Sequence, residues 1–263
     1  MPLETYYRDR WLEIAPQRLD RYEVIFQWSS ALDPLLEQAE IEPGQTVADF
    51  GCGPGFLAIE LARRVSPNGH VHALDINADF IARTRARAVA ERFDEQITVH
   101  HLTNGGLPFA DEFLDRLVAK SVMVFVDDPL AAFREFHRVL KPGGKAHAIE
   151  RDLGISFMSP EPVEDWNALL DAASHAYRNP LIGRQMYGFA RRAGFSFATV
   201  QVISTPDTEG RSLNDIKSLI DHARQGGNIS EEKIKAVLDT VTRAVDEGTF
   251  LGLIPRFVIT ATV

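Results

Sequence analysis

Residues 47–56 read VADFGCGPGF: an apolar run ends on Asp49, and side chains then largely give way to Gly51, Gly53 and Gly55. Without a Cβ, the main chain can adopt positive φ there and another molecule can approach it closely. A glycine turn from a strand into a helix presents backbone N–H groups and a helix N-terminus at the carboxyl edge of a parallel sheet, where nucleoside cofactors bind. The dinucleotide fingerprint G-x-G-x-x-G fails, because Phe56 follows Gly55. Asp75 lies 20 residues beyond Gly55, within ALDIN, and can accept hydrogen bonds from a ribose diol. It can equally cap the helix that follows, and the two roles are compatible.

Other residues with chemical potential are less tightly specified. Glu150 stands with Arg151 and Asp152 at the end of a predicted strand, at the same sheet edge as the glycine turn. It reads either as a base or as a charge satisfied by Arg151 and water. Tyr6, Tyr7 and Trp11 can close over a site or anchor the N-terminal segment, and His175 and Tyr177 fall in a helical stretch above the sheet. A base is needed only where a nucleophile starts out protonated, so no catalytic residue is assigned. Asp127 and Asp128 open a helix in DDP, where capping is the simpler reading than a metal site. HVH at 70–72 and HH at 100–101 lack acidic or cysteine neighbours in sequence, so no metal is expected. Cys52 is the single cysteine, which excludes an internal disulfide framework and a cysteine-rich zinc site and favours packing within the turn.

The elements that position these residues follow from periodicity. Apolar runs near Thr46–Phe50, His70–Leu74, Ile97–Leu102, Asp115–Ser121 and Lys145–Glu150 alternate with helical patterns, the signature of βαβ units and a parallel sheet. Leu57, Leu61 and Val65 form one helical stripe, Asn77 suits an N-cap, and KPGG stops the helix carrying Leu130, Phe133, Phe136 and Leu140. His137 sits at the edge of that stripe as a core histidine. Beyond Glu150 the pattern gives one or two helices over 155–193, a strand in FSFATVQVIST, two helices over 212–246, and a long closing strand in which Pro255 suggests a bulge or an edge. The two late strands are expected to pair in the same sheet.

With 263 residues, 45% apolar and 25% charged, the chain is ordinary globular material with a net charge of −9. That charge argues against a nucleic-acid or anionic-membrane partner. Neither a spanning helix nor a signal peptide is read, so a cytoplasmic protein is expected.

VADFGCGPG, then ALDIN, then LPFADEFLDRLVAKSVMVFVDDPLAAFREFHRVLKPGG together resemble the class I S-adenosylmethionine (SAM)-dependent methyltransferases, especially the ubiquinone- and menaquinone-biosynthesis type (methyltransferase domain type 11). The likeness covers roughly residues 44–150, and the flanks PQRLDRYEVIFQWSSALDPLLEQAEI and IGRQMYGFARRAGF resemble the family's N-terminal cover and the segment before its sixth strand. It implies an α/β, Rossmann-like, doubly wound seven-stranded sheet, mostly parallel with the last strand antiparallel. As implied by the family, Gly51, Gly53 and Gly55 line the methionine part of SAM with Asp49 supporting the loop, Asp75 holds the ribose, and Ile76 lies on the adenine.

Two positions depart from the pattern. Relatives often carry an acidic residue before LPF, where this chain has Thr103 and Asn104; Asn104 can accept from the adenine amino group or merely turn the chain. Lys120 stands where relatives carry histidine or arginine nearby, and can pair with the cofactor carboxylate, orient an anionic substrate, or remain a solvated strand-end charge. The resemblance gives one methyltransferase domain over 1–263: a helical cover at 1–43, a SAM-binding core at 44–150, and helical substrate-side insertions at 151–193 and 206–247. The expected function is methyl transfer from SAM to the O, N or C of a small organic acceptor, with a homodimer left open. A SAM-binding protein that does not methylate, and a NAD-dependent oxidoreductase, are the alternatives.

Overall fold

The computed structural model describes residues 4–103, 106–159 and 163–263. Two helices, α1 (Tyr6–Leu12) and α2 (Pro16–Ile25), precede β1 (Thr46–Phe50), α3 (Phe56–Val65), β2 (His70–Asp75), α4 (Ala78–Ala90) and β3 (Ile97–His101). A loop leads to β4 (Leu114–Lys120), α5 (Pro129–Val139) and β5 (Leu140–Arg151). The remainder comprises β6 (Phe157–Ser159), α6 (Val163–Ala173), α7 (Ile182–Ala193), β7 (Phe197–Ile203), α8 (Leu213–Gly226), α9 (Glu231–Asp246), β8 (Leu251–Leu253) and β9 (Arg256–Thr262).

Seven strands form one sheet in the order β3-β2-β1-β4-β5-β9-β7. β1 to β5 pair in parallel, and β9 is antiparallel to both β5 and β7. The order reverses at β1, so the carboxyl ends of β1 and β4 diverge around a crevice, the usual place for a ligand in such sheets. One face carries α3, whose buried Leu57, Leu61 and Val65 meet Val47, Val71, Val118, Ile149 and Val258. The other carries α5 and α7, with Phe133, Phe136, Ile182, Met186 and Ala190 around Leu117 and Ala148. Thus α7, within the 151–193 segment, is a layer of the sheet itself. Beyond β5, α6, α8 and α9 form a separate pack, around Trp166, Leu169, Ile216, Ile220, Val237 and Val241.

Local chemistry sets the helix starts. Asn77 Oδ1 accepts from Phe80 N at 2.8 Å to cap α4, and Asp128 Oδ1 accepts from Ala131 N at 3.0 Å with Pro129 at the first position of α5. Two expectations about strands are corrected. KPGG ends α5 but does not lie outside the sheet: β5 already begins at Leu140, pairs with Leu114, and shifts register before Arg116–Lys145 pairing resumes. Gly143, at φ +78°, takes the left-handed backbone of this loop without the strain a side chain would bring. The closing segment is also two strands rather than one long one. Pro255, which has no N–H for a ladder, separates β8, paired with β6, from β9 in the main sheet.

Candidate functional site

The turn after β1 is drawn onto β2 by two bonds to one carbonyl: Gly51 N and Cys52 N donate to Leu74 O at 2.8 and 2.9 Å. Gly51, Gly53 and Gly55 all have positive φ, at +77°, +53° and +88°. They nevertheless differ in kind. A Cβ on Gly51 would meet Val122 Cγ2 at 2.6 Å, and one on Gly55 would meet the Thr84 side chain at 2.8 Å, so both are demanded by packing. A Cβ on Gly53 would find only Phe26 Cδ2 at 3.9 Å, because that residue faces open space. Cys52 is buried, its thiol pushed well above the ordinary range by burial, and it sits against Thr84, as a packing residue should.

Asp75 closes the turn. Its Oδ2 accepts from Gly53 N and its Oδ1 from Asn77 N, each at 2.9 Å, leaving further lone pairs on both oxygens. Burial holds this carboxyl above the usual range, against the pull of those N–H donors. The helix cap expected as one role for Asp75 is supplied by Asn77. Asn77 Nδ2 also donates to Trp11 O at 2.8 Å and Leu12 O at 3.2 Å, which ties α1 to the β2 exit.

These groups border a cavity of about 480 Å³. Asp49, Gly51, Gly53, Asp75, Ile76 and Lys120 line it; Gly55 does not, standing behind at the start of α3. Asn104 lies outside the described residues. Asp49 is buried, with an Oδ2 lacking any hydrogen-bond partner among the described residues. Burial pushes its carboxyl up to about 7, against the opposing charge of Lys120. Burial first, and then Arg256, brings the Lys120 ammonium down to about 8. Asp49 and Lys120 thus face the same cavity with their ionisation shifted toward each other.

Sequence reasoning missed much of the outer wall. Arg8, Phe26, Phe80, Leu107, Val122 and Phe125 all face the cavity, from elements far apart in the chain. Trp11, considered as a lid or an anchor, does both: it lines the cavity while stacking on Tyr22 at 5.2 Å and meeting Phe125 edge-on at 5.0 Å. Tyr7 OH donates to Asp127, a second fastening of α1 over the site, while Asp128 does the capping. Glu150 is not on the wall. It accepts from Arg151 N at 3.0 Å and Val124 N at 3.2 Å, and so shapes the turn after β4 from below. His175 and Tyr177 pack instead with Tyr6 and Phe125. No group of three or more His, Cys, Asp and Glu among the described residues could hold a metal ion. His72 Nδ1 and His100 Nε2, 3.0 Å apart, bond to each other on the far part of the sheet.

Comparison with known proteins agrees with this geometry. Residues 47–144 match the methyltransferase domain family. A 2-phytyl-1,4-naphtoquinone methyltransferase of Trichormus variabilis is 31% identical over 203 residues, covering 72% of this chain and 84% of the relative. An uncharacterised 37.1 kDa protein of a Streptomyces fradiae transposon is 30% identical over 191 residues; the alignment takes in 70% of this chain but about half, 53%, of that relative's length. Among solved structures, a phosphoethanolamine N-methyltransferase of Haemonchus contortus, in complex with S-adenosylhomocysteine, superposes with a TM-score of 0.66 at 16% identity, covering 100% of this chain and 60% of that one. A Bacillus halodurans protein described as a methyltransferase gives 0.63 at 18% identity, covering 89% of this chain and 99% of that one. With the sheet order, the glycine turn and the β2 carboxylate all in place, the chain is a member of the class I SAM-dependent methyltransferases.

Proposed function

We propose that this chain transfers a methyl group from SAM to a small organic acceptor inside the 480 Å³ cavity. The observation that carries the reading is Gly53, whose missing Cβ opens the main chain to that cavity beside Asp75. The site fits the cofactor's chemistry. Asp75 keeps free lone pairs for a ribose diol, Ile76 offers an apolar face that is 38% exposed, and the glycine turn and Asp49 stand next to the start of α3. In this reading Gly51, Gly53, Gly55 and Asp49 form the methionine side, Asp75 and Ile76 the nucleoside side, and Lys120 the end nearest the acceptor. Asn104 belongs to the same proposal.

When bound, SAM supplies an electrophilic methyl group on a sulfonium. The work left to the protein is to align the acceptor with it and to exclude water. Trp11, Phe125, Phe26 and Phe80 provide an apolar enclosure, held shut by Tyr7–Asp127 and Asn77–Trp11. An enclosure of this kind suits a small molecule rather than a polymer. Relatives named as quinone methyltransferases support that choice of acceptor class. In this reading the chain is one domain, a 44–150 core covered by residues 1–43, with α6, α8 and α9 as an added pack that supplies no residue to the cavity wall among the described residues. An acidic composition, and the absence among the described residues of a helix long and apolar enough to cross a membrane, support a cytoplasmic setting.

The dinucleotide alternative meets a structural obstacle: the position that would need a third glycine is Phe56, whose ring carries the Arg87 guanidinium at 3.5 Å. Titration with SAM or S-adenosylhomocysteine should raise the melting temperature, and NADH should not. Asp75→Ala should abolish the response, with Asp75→Asn intermediate because one acceptor oxygen survives. A flat calorimetric titration with both methionine nucleosides would overturn the proposal. Methyl-labelled SAM with a metabolite extract then identifies the acceptor; tight nucleoside binding with no labelled product would support a non-methylating role.

A further inference from the structure

The carboxyl edge of the sheet holds an unusual charge arrangement. Lys120 pairs with Ile149, and Arg151 with Arg256, across β4, β5 and β9. Side chains on a strand alternate, so Lys120, Arg151 and Arg256 share one face, that of Asp49, which neighbours Val118. Arg151 is answered by Asp215 of α8 at 3.2 Å. The ion pairs of the described residues include none for Lys120 or Arg256, and Arg256 Nη1 is buried with no hydrogen-bond partner.

Three carboxylates, Asp49, Glu150 and Asp215, act on these cations, but only Asp215 makes an ion pair, with Arg151; burial holds Asp49 and Glu150 above the usual carboxylate range. Burial and Arg151 bring the Arg256 guanidinium down to about 10. A chain of net charge −9 therefore keeps two cations, Lys120 and Arg256, without an ion pair at this edge. Unpaired buried cations are costly, and the cost is removed by an anion that reaches them.

We propose that the methyl acceptor carries an oxyanion, a carboxylate or phosphate, that seats on Lys120 at the cavity wall, with Arg256 behind it on the same strand face. This rests on the methyltransferase reading above. The methionine end of the cofactor has a carboxylate too, but SAM as a whole, with its sulfonium and ammonium, is a net cation at neutral pH. Its binding brings further positive charge to this edge, and an anionic acceptor supplies a partner for Lys120 next to the cationic methyl donor. Arg and Lys together match oxyanion geometry, the guanidinium by a fork and the ammonium as a point charge.

The test uses the full chain saturated with S-adenosylhomocysteine and measures melting temperature and calorimetric affinity with sodium acetate and sodium phosphate against sodium chloride at equal ionic strength. Acetate or phosphate should stabilise the complex beyond chloride. Lys120→Gln and Arg256→Gln should each weaken that binding roughly tenfold or more, with Arg256→Lys retaining part of it. The melting temperature of each variant in chloride alone sets the baseline from which its oxyanion response is read. A response identical for all the oxyanions and chloride, or unchanged in Arg256→Gln, overturns the proposal. So does competition: if acetate stabilises the complex with 5′-methylthioadenosine, which lacks the amino acid, but weakens S-adenosylhomocysteine, the edge serves the cofactor's own carboxylate. Should S-adenosylhomocysteine itself fail to bind, the methyltransferase reading falls first, and the oxyanion response of the ligand-free protein still reports on the edge.

Discussion

Gly53 and Gly55 lie two residues apart in one turn, yet their replacement by alanine should have opposite signatures. At Gly53 the new Cβ meets nothing closer than Phe26 Cδ2 at 3.9 Å, so the penalty on folding is that of a left-handed conformation, φ +53°, for a residue with a Cβ. That is about 1–2 kcal/mol, or roughly 2–8 °C of melting temperature for a chain of this size. The methyl group then occupies the open side of the turn, and S-adenosylhomocysteine affinity should fall tenfold or more, equivalent to at least about 1.4 kcal/mol. At Gly55 the same conformational cost is joined by contacts of 2.8 Å to Thr84 Cγ2 and Oγ1 and 3.0 Å to Thr84 Cα. Because the Cα belongs to the backbone of α4, relief requires moving the helix, and overpacking adds about 1–3 kcal/mol. Gly55→Ala should therefore lose more stability, about 2–5 kcal/mol in all, and proportionately less affinity. Thermal melts with and without S-adenosylhomocysteine, plus calorimetric titration, separate the two. If Gly53→Ala binds the nucleoside as wild type does, the assignment of its open side to a ligand is refuted.

Asn77→Ala removes the α4 cap and both bonds to the α1 carbonyls; a stability loss of about 1–2 kcal/mol should come with faster amide exchange across residues 6–12 than in wild type. Asp152, fully buried, accepts from Arg184 Nη2 and Nε at 2.6 and 2.8 Å and from Arg184 N and Gly154 N, so Asp152→Ala should cost about 3 kcal/mol or more while leaving nucleoside affinity unchanged. His147 is buried and neutral, with Nε2–H donating to Leu35 O at 2.7 Å and Nδ1 accepting from Thr260 Oγ1 at 2.8 Å; burial lowers it to about 4. Because the unfolded chain protonates this histidine first, at about 6.5, its contribution is full above that pH and declines by about 3 kcal/mol as pH falls to 4. Urea titrations across that window should show a shallower slope in His147→Gln, and an unaltered slope would refute the assignment.

Much of this protein is legible from local sequence because local forces decide it. The parallel strands start and stop where apolar runs meet Gly, Pro, Asn and Asp, and the βαβ class follows from their alternation with helices, while the antiparallel last strand is what the family resemblance implies. The chemistry of the β1 exit and of Asp75 is equally local, since a glycine turn and a strand-end acid carry their geometry with them. What local pattern does not contain is distance between remote segments. Only the folded chain inserts β9 between β5 and β7 and uses Pro255 to part it from β8. Tertiary packing alone separates Gly53, open to a ligand, from Gly51 and Gly55, which are hemmed in by Val122 and Thr84. It also withdraws Glu150 from the cavity into the turn below, and brings Phe26 and Trp11 onto the wall. Charge follows the same rule. Lys120 and Arg256 are far apart in the chain, and each looks like an ordinary strand-terminal cation until strand register sets them on one face of a buried edge. Burial and the sum of neighbouring charges are properties of the assembled fold, and they fix the ionisation of Asp49, Lys120 and Arg256.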